Sequence, residues 1–370
     1  MTQPEHEFIK VRTKKLEALL ELGIDPYPST FNRTHSSSEA IEYYLQCEED
    51  SVEPEGEISI AGRIMSRRGM GKASFLDIRD GSGRIQVMMR SNVLGDNYTI
   101  LDNLDIGDWI GVKGTLFRTR TEEITLQTNK FTILCKSLRP LPEKWHGLTD
   151  VETRYRQRYL DLIASDEAIN IAKSRSLLVS TIRRFMEDRG FIEVETPMLV
   201  PVAAGGMAHP FTTHHNALNR DLYLRIATEL HLKRLVVGGL EKVFEIGRVF
   251  RNEGIDQQHN PEFTTMESYE AFADYNDVMA MVEELVANVS LELNGSTEVM
   301  YKDVLLNFQP PWPRIDLRQK IIEVSGIDFL DHDNIDSLKS AMTDAGIDIS
   351  QHCLLYTSDA ADERSSVDLG

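Results

Sequence analysis

Residues 244–269 read FEIGRVFRNEGIDQQHNPEFTTMESY, and the way this stretch folds decides the second half of the chain. Both ends are strand-like, and the connection over 252–261 is polar and marked by Gly254, Asn260 and Pro261. Alternate residues of a strand share a face. Glu245, Val249 and Arg251 then share one face of the first run, and Phe263, Thr265, Glu267 and Tyr269 one face of the second. Paired as a hairpin, the two faces form a floor carrying an arginine, two carboxylates and two aromatic rings. A core face is mostly aliphatic, so this floor reads as a site for a polyanion and an amine. The plainer reading, a hairpin with one solvated side, suits any single charged strand residue better than it suits the whole set.

The chain has 370 residues, enough for two domains or more. Its hydrophobic fraction of 41% and charged fraction of 27% are those of a globular protein. No basic segment followed by an apolar one opens the chain, and no apolar run reaches membrane-spanning length, so neither a secretory signal nor a membrane partner is expected. Cys47, Cys135 and Cys353 lie far apart without metal-ligand spacing. A disulfide framework and a zinc site are not expected, and a cytoplasmic location is. The net charge of −19 argues against non-specific binding of nucleic acid over the whole surface. It leaves room for a local basic patch.

Working outward from 244–269, a helix over 229–237 is expected after a Thr228 cap, ending at Gly238-Gly239. Gly205-Gly206 marks a loop where a backbone approaches a ligand, or a tight turn. A long helix starts at Ser165 or Asp166 and runs to 189, with Leu178, Ile182, Phe185 and Met186 at helical spacing and Gly190 as its stop. An extended run over 191–199 follows, interrupted by Pro197. Beyond the hairpin, a helix is expected from 275 to about 293. The basic and aromatic stretch 154–159 has two readings, a hinge between domains or a nucleic-acid contact.

Residues 57–138 have a different character. Strand-like runs occupy 57–65, 72–79, 83–89, 108–118 and 123–138, with a short helical piece over 98–104. Five short strands with one helix at that position indicate an OB-type barrel. Leu76 and Ile78 share one face, so Phe75 takes the other beside Asp77 and Arg79; Ile85 and Val87 likewise leave Gln86 outward. Arg67, Arg68 and Lys72 flank the turn at Gly69 and Gly71. A stacking ring, an amide that reads base edges and a basic loop are what single-stranded nucleic acid requires. Ahead of the barrel, Ile9, Leu16, Leu19 and Leu20 fall near one face of a helix that also carries Lys10, Arg12, Lys14 and Lys15. That helix reads equally as packing on a neighbour or as a basic arm. A second helix follows a cap at 36–38, with Ile41, Tyr44 and Leu45 inward.

Several stretches together carry a family resemblance: IKVRTKKLEALLELGIDPYP (9–28), GKASFLDIRDGSGRIQV (71–87), RYRQRYLDLI (154–163), LYLRIATELHLKRLVVGGLEKVFEIGRVFRNEG (222–254) and HNPEFTTMESYEAFADY (259–275). The chain resembles the class II lysyl-tRNA synthetases from about residue 7 to 350. The FRxE-type stretch at 250–253 alone indicates only a class II synthetase; with HNPEFT and MESY it points to the lysine enzymes over their aspartate and asparagine relatives. The resemblance implies an α+β multidomain fold: a helical extension over 1–56, a five-stranded OB-type anticodon-binding barrel over 57–140, a linker over 141–158, and over 159–352 an incomplete catalytic domain, a partial antiparallel sheet flanked by helices. The long helix with Pro197 resembles the class motif at a homodimer interface.

The resemblance also implies roles. Arg251 bridges the lysine carboxylate and the ATP α-phosphate, for which a guanidinium fork suits both ligands. Glu253 reads the adenine amino group, His259 meets the terminal phosphate and Phe263 stacks on adenine. Gly205 and Glu229 hold the α-amino group, while Glu267 and Tyr269 face the ε-ammonium. Arg68, Phe75, Gln86 and Glu123 read the anticodon of tRNA(Lys). ATP is a substrate and Mg²⁺ the implied cofactor, its ligands expected outside this sequence. The family's third motif is not found after residue 300, and CLLYTSDAADE (353–363) has no family counterpart and reads as translated sequencing adapter, so genuine coding is expected to end near His352. Met207 and His209 stand where the family has a small and a basic residue. The polypeptide as written is therefore expected to lack aminoacylation activity and to aggregate. Competing readings are an aspartate- or asparagine-type synthetase, against which Glu267 with Tyr269 argues; a ligase that lysylates protein, against which the barrel argues; and an RNA-binding module with a defective catalytic part.

Overall fold

The computed structural model describes residues 3–141, 148–254, 256 and 259–347. Pro142, Ile255 and the tail from 353, all of which the sequence reading touches, lie outside the described residues. The chain divides into two compact units, Met1–Ile171 and Ala172–Gly370.

In the first unit, α1 (Gln3–Glu21) stops where Gly23 takes a φ of +73°. Leu19 is fully buried and Ile9 and Leu16 are partly so, but Leu20 is exposed. It lies one residue, about 100° of helix rotation, beyond Leu19. Of the two readings of this helix, packing on a neighbour holds for part of it. Arg12 is buried, and its guanidinium donates to the carbonyls of Ile106, Ser137 and Arg139, while Lys15 pairs with Asp105 at 2.6 Å. Next, α2 (Ser37–Glu49) opens with a full capping box between Ser36 and Glu39. Tyr44 is buried as expected and Leu45 is exposed.

Five strands follow: β1 (Ile58–Met70), β2 (Ala73–Arg79), β3 (Arg84–Arg90), β4 (Trp109–Arg118) and β5 (Ile124–Cys135). They close a barrel in the order β1-β2-β3-β5-β4. Between β3 and β4 run α3 (Ser91–Leu94) and a 3-10 helix (Gly95–Asn103). Alternation holds: Leu76, Ile78, Ile85 and Val87 enter one apolar core with Ile60, Ile64, Ile110, Val112 and Leu126. Two helices then follow, α4 (Val151–Arg156) and α5 (Arg158–Ala164). Arg154 and Arg158 both pair with the buried Asp161, at 2.9 and 2.6 Å. Those two cations of the 154–159 stretch are therefore paired within the chain itself.

In α6 (Asp166–Asp188), Ser165 caps by accepting from the Ala168 N–H at 3.2 Å. Pro197 divides the extended run into β6 (Ile192–Glu193) and β7 (Leu199–Val200), which enter different sheets. Then come β8 (Thr212–His215), β9 (Arg220–Leu224), α7 (Glu229–Val237), β10 (Lys242–Phe250), β11 (Glu262–Glu270) and α8 (Tyr275–Asn294). The described chain closes with β12 (Glu298–Tyr301), β13 (Val304–Asn307), α9 (Leu317–Ser325) and α10 (Ile335–Asp344). One sheet runs β11-β10-β6 and another β7-β9-β8. Because β6 pairs with β10 in parallel, the first sheet is mixed where an antiparallel one was expected. Its rear face packs Phe244, Ile246 and Met266 on Phe185, Met186, Phe191 and Leu285. No described helix is long and apolar enough to cross a membrane.

The barrel's buried charges set its pH response. Burial alone raises the Asp80 and Asp105 carboxyls, but hydrogen bonds from Ser82, Ser37 and Gly83 to the first, and from Lys136 and Lys15 to the second, hold both below the usual carboxylate range. Carboxylates depressed in the folded state contribute stability above their unfolded pKa of about 3.9, and it is lost as pH falls through the folded values. Urea unfolding of the barrel is thus expected to be flat from pH 7 to 5 and to weaken below about pH 4. Lys136→Met leaves Asp108, otherwise paired with Lys136 at 2.7 Å and fully buried, without its cation. A loss of about 3–5 kcal/mol is expected in the same titration.

Candidate functional site

The hairpin register places Glu245 opposite Glu267, Gly247 opposite Thr265, Val249 opposite Phe263 and Val243 opposite Tyr269. The expected face therefore exists, but its two halves have different fates. On β10, Val243, Glu245 and Val249 are buried. What covers that half is Arg225, itself 1% exposed. Its guanidinium pairs with Glu245 at 2.6 Å, donates to the Arg248 carbonyl at 2.8 Å, and donates to the carbonyl and hydroxyl of Thr196 at 3.1 and 2.9 Å. The Thr196 hydroxyl donates in turn to Glu245 at 2.6 Å. Gly247 makes room, since a Cβ there would overlap Arg225 Nη2. Glu245 is thus a structural carboxylate and not part of an open floor, which corrects the sequence reading. The signals were present: one arginine inside LYLRIA and one glycine inside a strand, which marks a close approach.

The β11 half stays open. At its beginning, Arg251, Glu253, His259 and Phe263 line one cleft of about 320 Å³ together with Gly254 and Asn260. The Arg251 guanidinium lies 5.4 Å from the Phe263 ring centroid, and the Arg251 N–H donates to the Pro261 carbonyl at 2.9 Å. Arg251 Nε is buried and has no hydrogen-bond partner among the described residues. An unpaired buried donor costs about 1–3 kcal/mol, and an anion in the cleft satisfies it. Asp256 fixes His259, accepting its backbone N–H at 2.8 Å and lying 2.7 Å from Nδ1. The loop carrying His209 is tied in, because its carbonyl accepts the Asn252 N–H at 2.7 Å.

At the other end of β11, Gly205, Glu229, Glu267 and Tyr269 come together. Gly205 has a φ of +99°, and a Cβ on it would meet Ala227 at 2.7 Å and the Glu229 carboxylate at 3.6 Å. Glu267 accepts the Thr228 N–H at 3.2 Å. Thr228 stands at the N-cap position of α7, yet its hydroxyl makes no capping bond and is buried without a partner among the described residues, as is the Thr265 hydroxyl. Lys233, which sequence reasoning missed, sits 2.5 Å from Glu229 and 5.8 Å from the Tyr269 ring centroid. Burial first, then the charges of Glu229 and Glu267, push the Tyr269 phenol up to about 12. Tyr269 therefore stays a neutral hydroxyl at neutral pH beside Glu229 and Glu267, with Lys233 the cation on the Glu229 side.

On the barrel, register aligns two rows across four strands. Arg68, Phe75, Met88 and Gln127 form one, and Ser66, Asp77, Gln86 and Thr125 the other. Arg68, Phe75 and Gln86 are thus on one face of the sheet; Arg68 is exposed and Phe75 partly so, whereas Gln86, expected outward, is buried. Glu123 is exposed just ahead of β5.

The chain matches the model of the class II tRNA synthetases (D, K and N) over residues 150–369 and that of the OB-fold nucleic acid binding domain over residues 58–134. Barrel and hairpin together define a class II synthetase architecture. It is 52% identical over 341 residues to a lysine–tRNA ligase of Dehalococcoides mccartyi, covering 92% of this chain and 68% of that protein. It is 53% identical over 328 residues to that of Carboxydothermus hydrogenoformans, covering 88% and 66%, and 48% identical over 341 residues to that of Bacillus cereus, covering 92% and 68%. The chain belongs to the class II lysyl-tRNA synthetase family, and spans about two thirds of the length of these relatives.

Arg225 and Arg251 should separate cleanly by mutation. Arg225→Met strands Glu245 in a dry environment and is expected to cost about 3–5 kcal/mol in chemical denaturation. Arg251→Met removes no ion pair among the described residues and is expected to change stability by under about 1 kcal/mol.

Proposed function

We propose that the chain takes part in ATP-dependent activation of L-lysine and its transfer to tRNA(Lys), with residues 57–140 binding the anticodon and residues 159–352 contributing to catalysis. The observation that supports it most is the placement of two unlike groups of side chains on one face of β11. Arg251, Glu253, His259 and Phe263 surround one cleft, and Gly205, Glu229, Glu267 and Tyr269 gather at the opposite end. Phe263 and Glu267 are four residues apart, about 13 Å along a strand. Thr265 stands between them, level with the junction where a carboxylate meets a phosphate.

The chemistry follows from that placement. The lysine carboxylate, already ionised at neutral pH, attacks the α-phosphorus of ATP and pyrophosphate leaves; no protein base is needed. Arg251 orients both anions and offsets charge at phosphorus. Phe263 stacks on adenine, Glu253 accepts from its amino group, and His259, held by Asp256, meets the terminal phosphate. Glu229 and Gly205 take the α-amino group, and Glu267 with neutral Tyr269 the ε-ammonium. A terminal ribose hydroxyl of the tRNA then attacks the adenylate carbonyl, forming the ester and releasing AMP. Among the described residues no group of three or more His, Cys, Asp or Glu side chains is arranged to hold a metal ion. The resemblance places the Mg²⁺ ligands outside this sequence, and no step here runs through the ion.

In the β11-β10-β6 sheet, β11 is an edge among the described residues, so Glu267 and Tyr269 have a neighbouring strand on one side only. The 370-residue polypeptide is accordingly read as holding half of the site. Homodimerisation through α6 is supported by residues 171–177, all of them exposed.

Binding of a non-hydrolysable lysyl-adenylate analogue to the 370-residue protein, followed by thermal shift, tests the site directly. The wild type is expected to be stabilised, and Arg251→Ala to weaken binding by about 1.5–3 kcal/mol, the worth of hydrogen bonds to a charged group. An unshifted wild type would count against the assignment. Lysine-dependent ATP–pyrophosphate exchange is expected to stay at background; clear exchange would show that the described half suffices. For the barrel, Phe75→Ala is expected to weaken binding of a single-stranded RNA loop by about 1–3 kcal/mol, the worth of one stacked base.

A further inference from the structure

One end of the open floor carries a cation of its own. Glu229 opens α7, and Lys233 lies four residues on, one turn along the same helix face. The Lys233 ammonium pairs with Glu229 through one oxygen, Oε1, at 2.5 Å. The other oxygen, Oε2, makes no hydrogen bond or ion pair among the described residues and faces Gly205. A Cβ at Gly205 would lie 3.6 Å from Oε2, so the space the glycine leaves free borders that oxygen. Lys233 is also steadied by the Tyr269 ring, whose centroid lies 5.8 Å from Nζ. A carboxylate turns easily about its terminal torsion. With Oε1 engaged, the plane of this one is set. The Lys233 side chain is 53% exposed, and an ion pair so open to water contributes little to stability. What it supplies is direction. A cation that merely competed with a ligand would sit on the oxygen facing Gly205, and Lys233 sits on the other.

We propose that Lys233 is a positioning residue that fixes the Glu229 carboxylate with Oε2 toward Gly205, and so makes the site select substrates that bear an ammonium group on the α-carbon. This rests on the reading of Glu229 and Gly205 as the holders of the α-amino group. An α-ammonium entering beside Gly205 meets an oxygen already aimed at it, and no reorientation is lost on binding. Without the lysine, the carboxylate turns freely and that contact weakens. The ε-ammonium is met by Glu267 on a different element, β11, whose carboxylate accepts the Thr228 N–H and makes no bond to Lys233. Its recognition is therefore unaffected. Lys233 need touch no substrate to act in this way.

The test uses the full 370-residue protein and two ligands, with affinities read by titration calorimetry. One is a non-hydrolysable lysyl-adenylate analogue. The other is its twin built on 6-aminohexanoate, which keeps the nucleotide and the ε-ammonium and lacks only the α-amino group. The wild type is expected to prefer the first by on the order of tenfold, the scale of one hydrogen bond to a charged group. Lys233→Met keeps the length of the side chain and a favourable contact with the Tyr269 ring. It is expected to reduce the preference to under about threefold through loss of affinity for the lysyl analogue alone. Lys233→Arg, which keeps a donor for Oε1, is expected to restore it. Lys233→Ala, the better helix former, decides the matter if the methionine variant does not fold. A purely structural role would weaken both ligands alike. A preference retained or raised in Lys233→Met, or in Lys233→Ala when that variant decides, overturns the inference alone, as does an arginine variant no better than the methionine one. A wild type that binds both ligands equally overturns the assignment of Glu229 and Gly205 with it, and one that binds neither overturns the proposed function.

Discussion

The second unit depends on one buried ion pair. Arg225 and Glu245 meet at 2.6 Å with almost no exposure on either side, a costly arrangement unless every remaining donor and acceptor is used. Here much of that capacity is used: Thr196 bonds to both partners, and the Arg248 carbonyl takes the Nε proton. The guanidinium thereby ties three segments together, the end of β9, the turn before β7 and the middle of β10. It also seals the β10 half of the hairpin face, which leaves only the β11 half available to ligands. The clamp makes the site one-sided.

Two arginines on the same hairpin face show how environment separates structure from function. Arg225 has its charge matched within the protein, and its Nε and Nη1 donate to Arg248 and Thr196. Arg251, beyond the end of β10, has an aromatic ring beside it and a buried Nε with no partner among the described residues. The same side chain is a strut in one place and an unspent donor in the other. The acids divide likewise. Glu245 is consumed internally, Glu267 takes a backbone N–H, and Glu229 is held by Lys233. An acidic chain of net charge −19 can still handle polyanions because its useful cations are few and placed where local geometry outweighs the distant field.

Much of this was legible in the order of residues. Period-two alternation placed Leu76, Ile78, Ile85 and Val87 inside the barrel and Phe75 and Gln86 on the other face, because a closed sheet has only two faces; it could not tell that Gln86 is buried there as well. Helix ends were legible where a cap is chemical, as at Ser36 and Gly23, since such caps need only neighbouring backbone. Leu20 and Leu45 were misplaced because a generous apolar stripe does not say where a partner's edge falls. Thr228 looks like a cap and makes no capping bond, because its helix begins against Glu267, which takes the backbone N–H.

The sequence by itself determined the hairpin, the barrel, and the set of residue types that belong together at each site, because these follow from local pattern and turn chemistry. It could not determine which charges are spent internally. That was decided by contacts between residues distant in sequence: Arg225 over Gly247, Lys233 beside Tyr269, Thr125 against Gln86. Local propensity carries no information about such pairs. They exist only once the chain has closed on itself, when burial makes each unmatched donor or charge costly enough to select a partner.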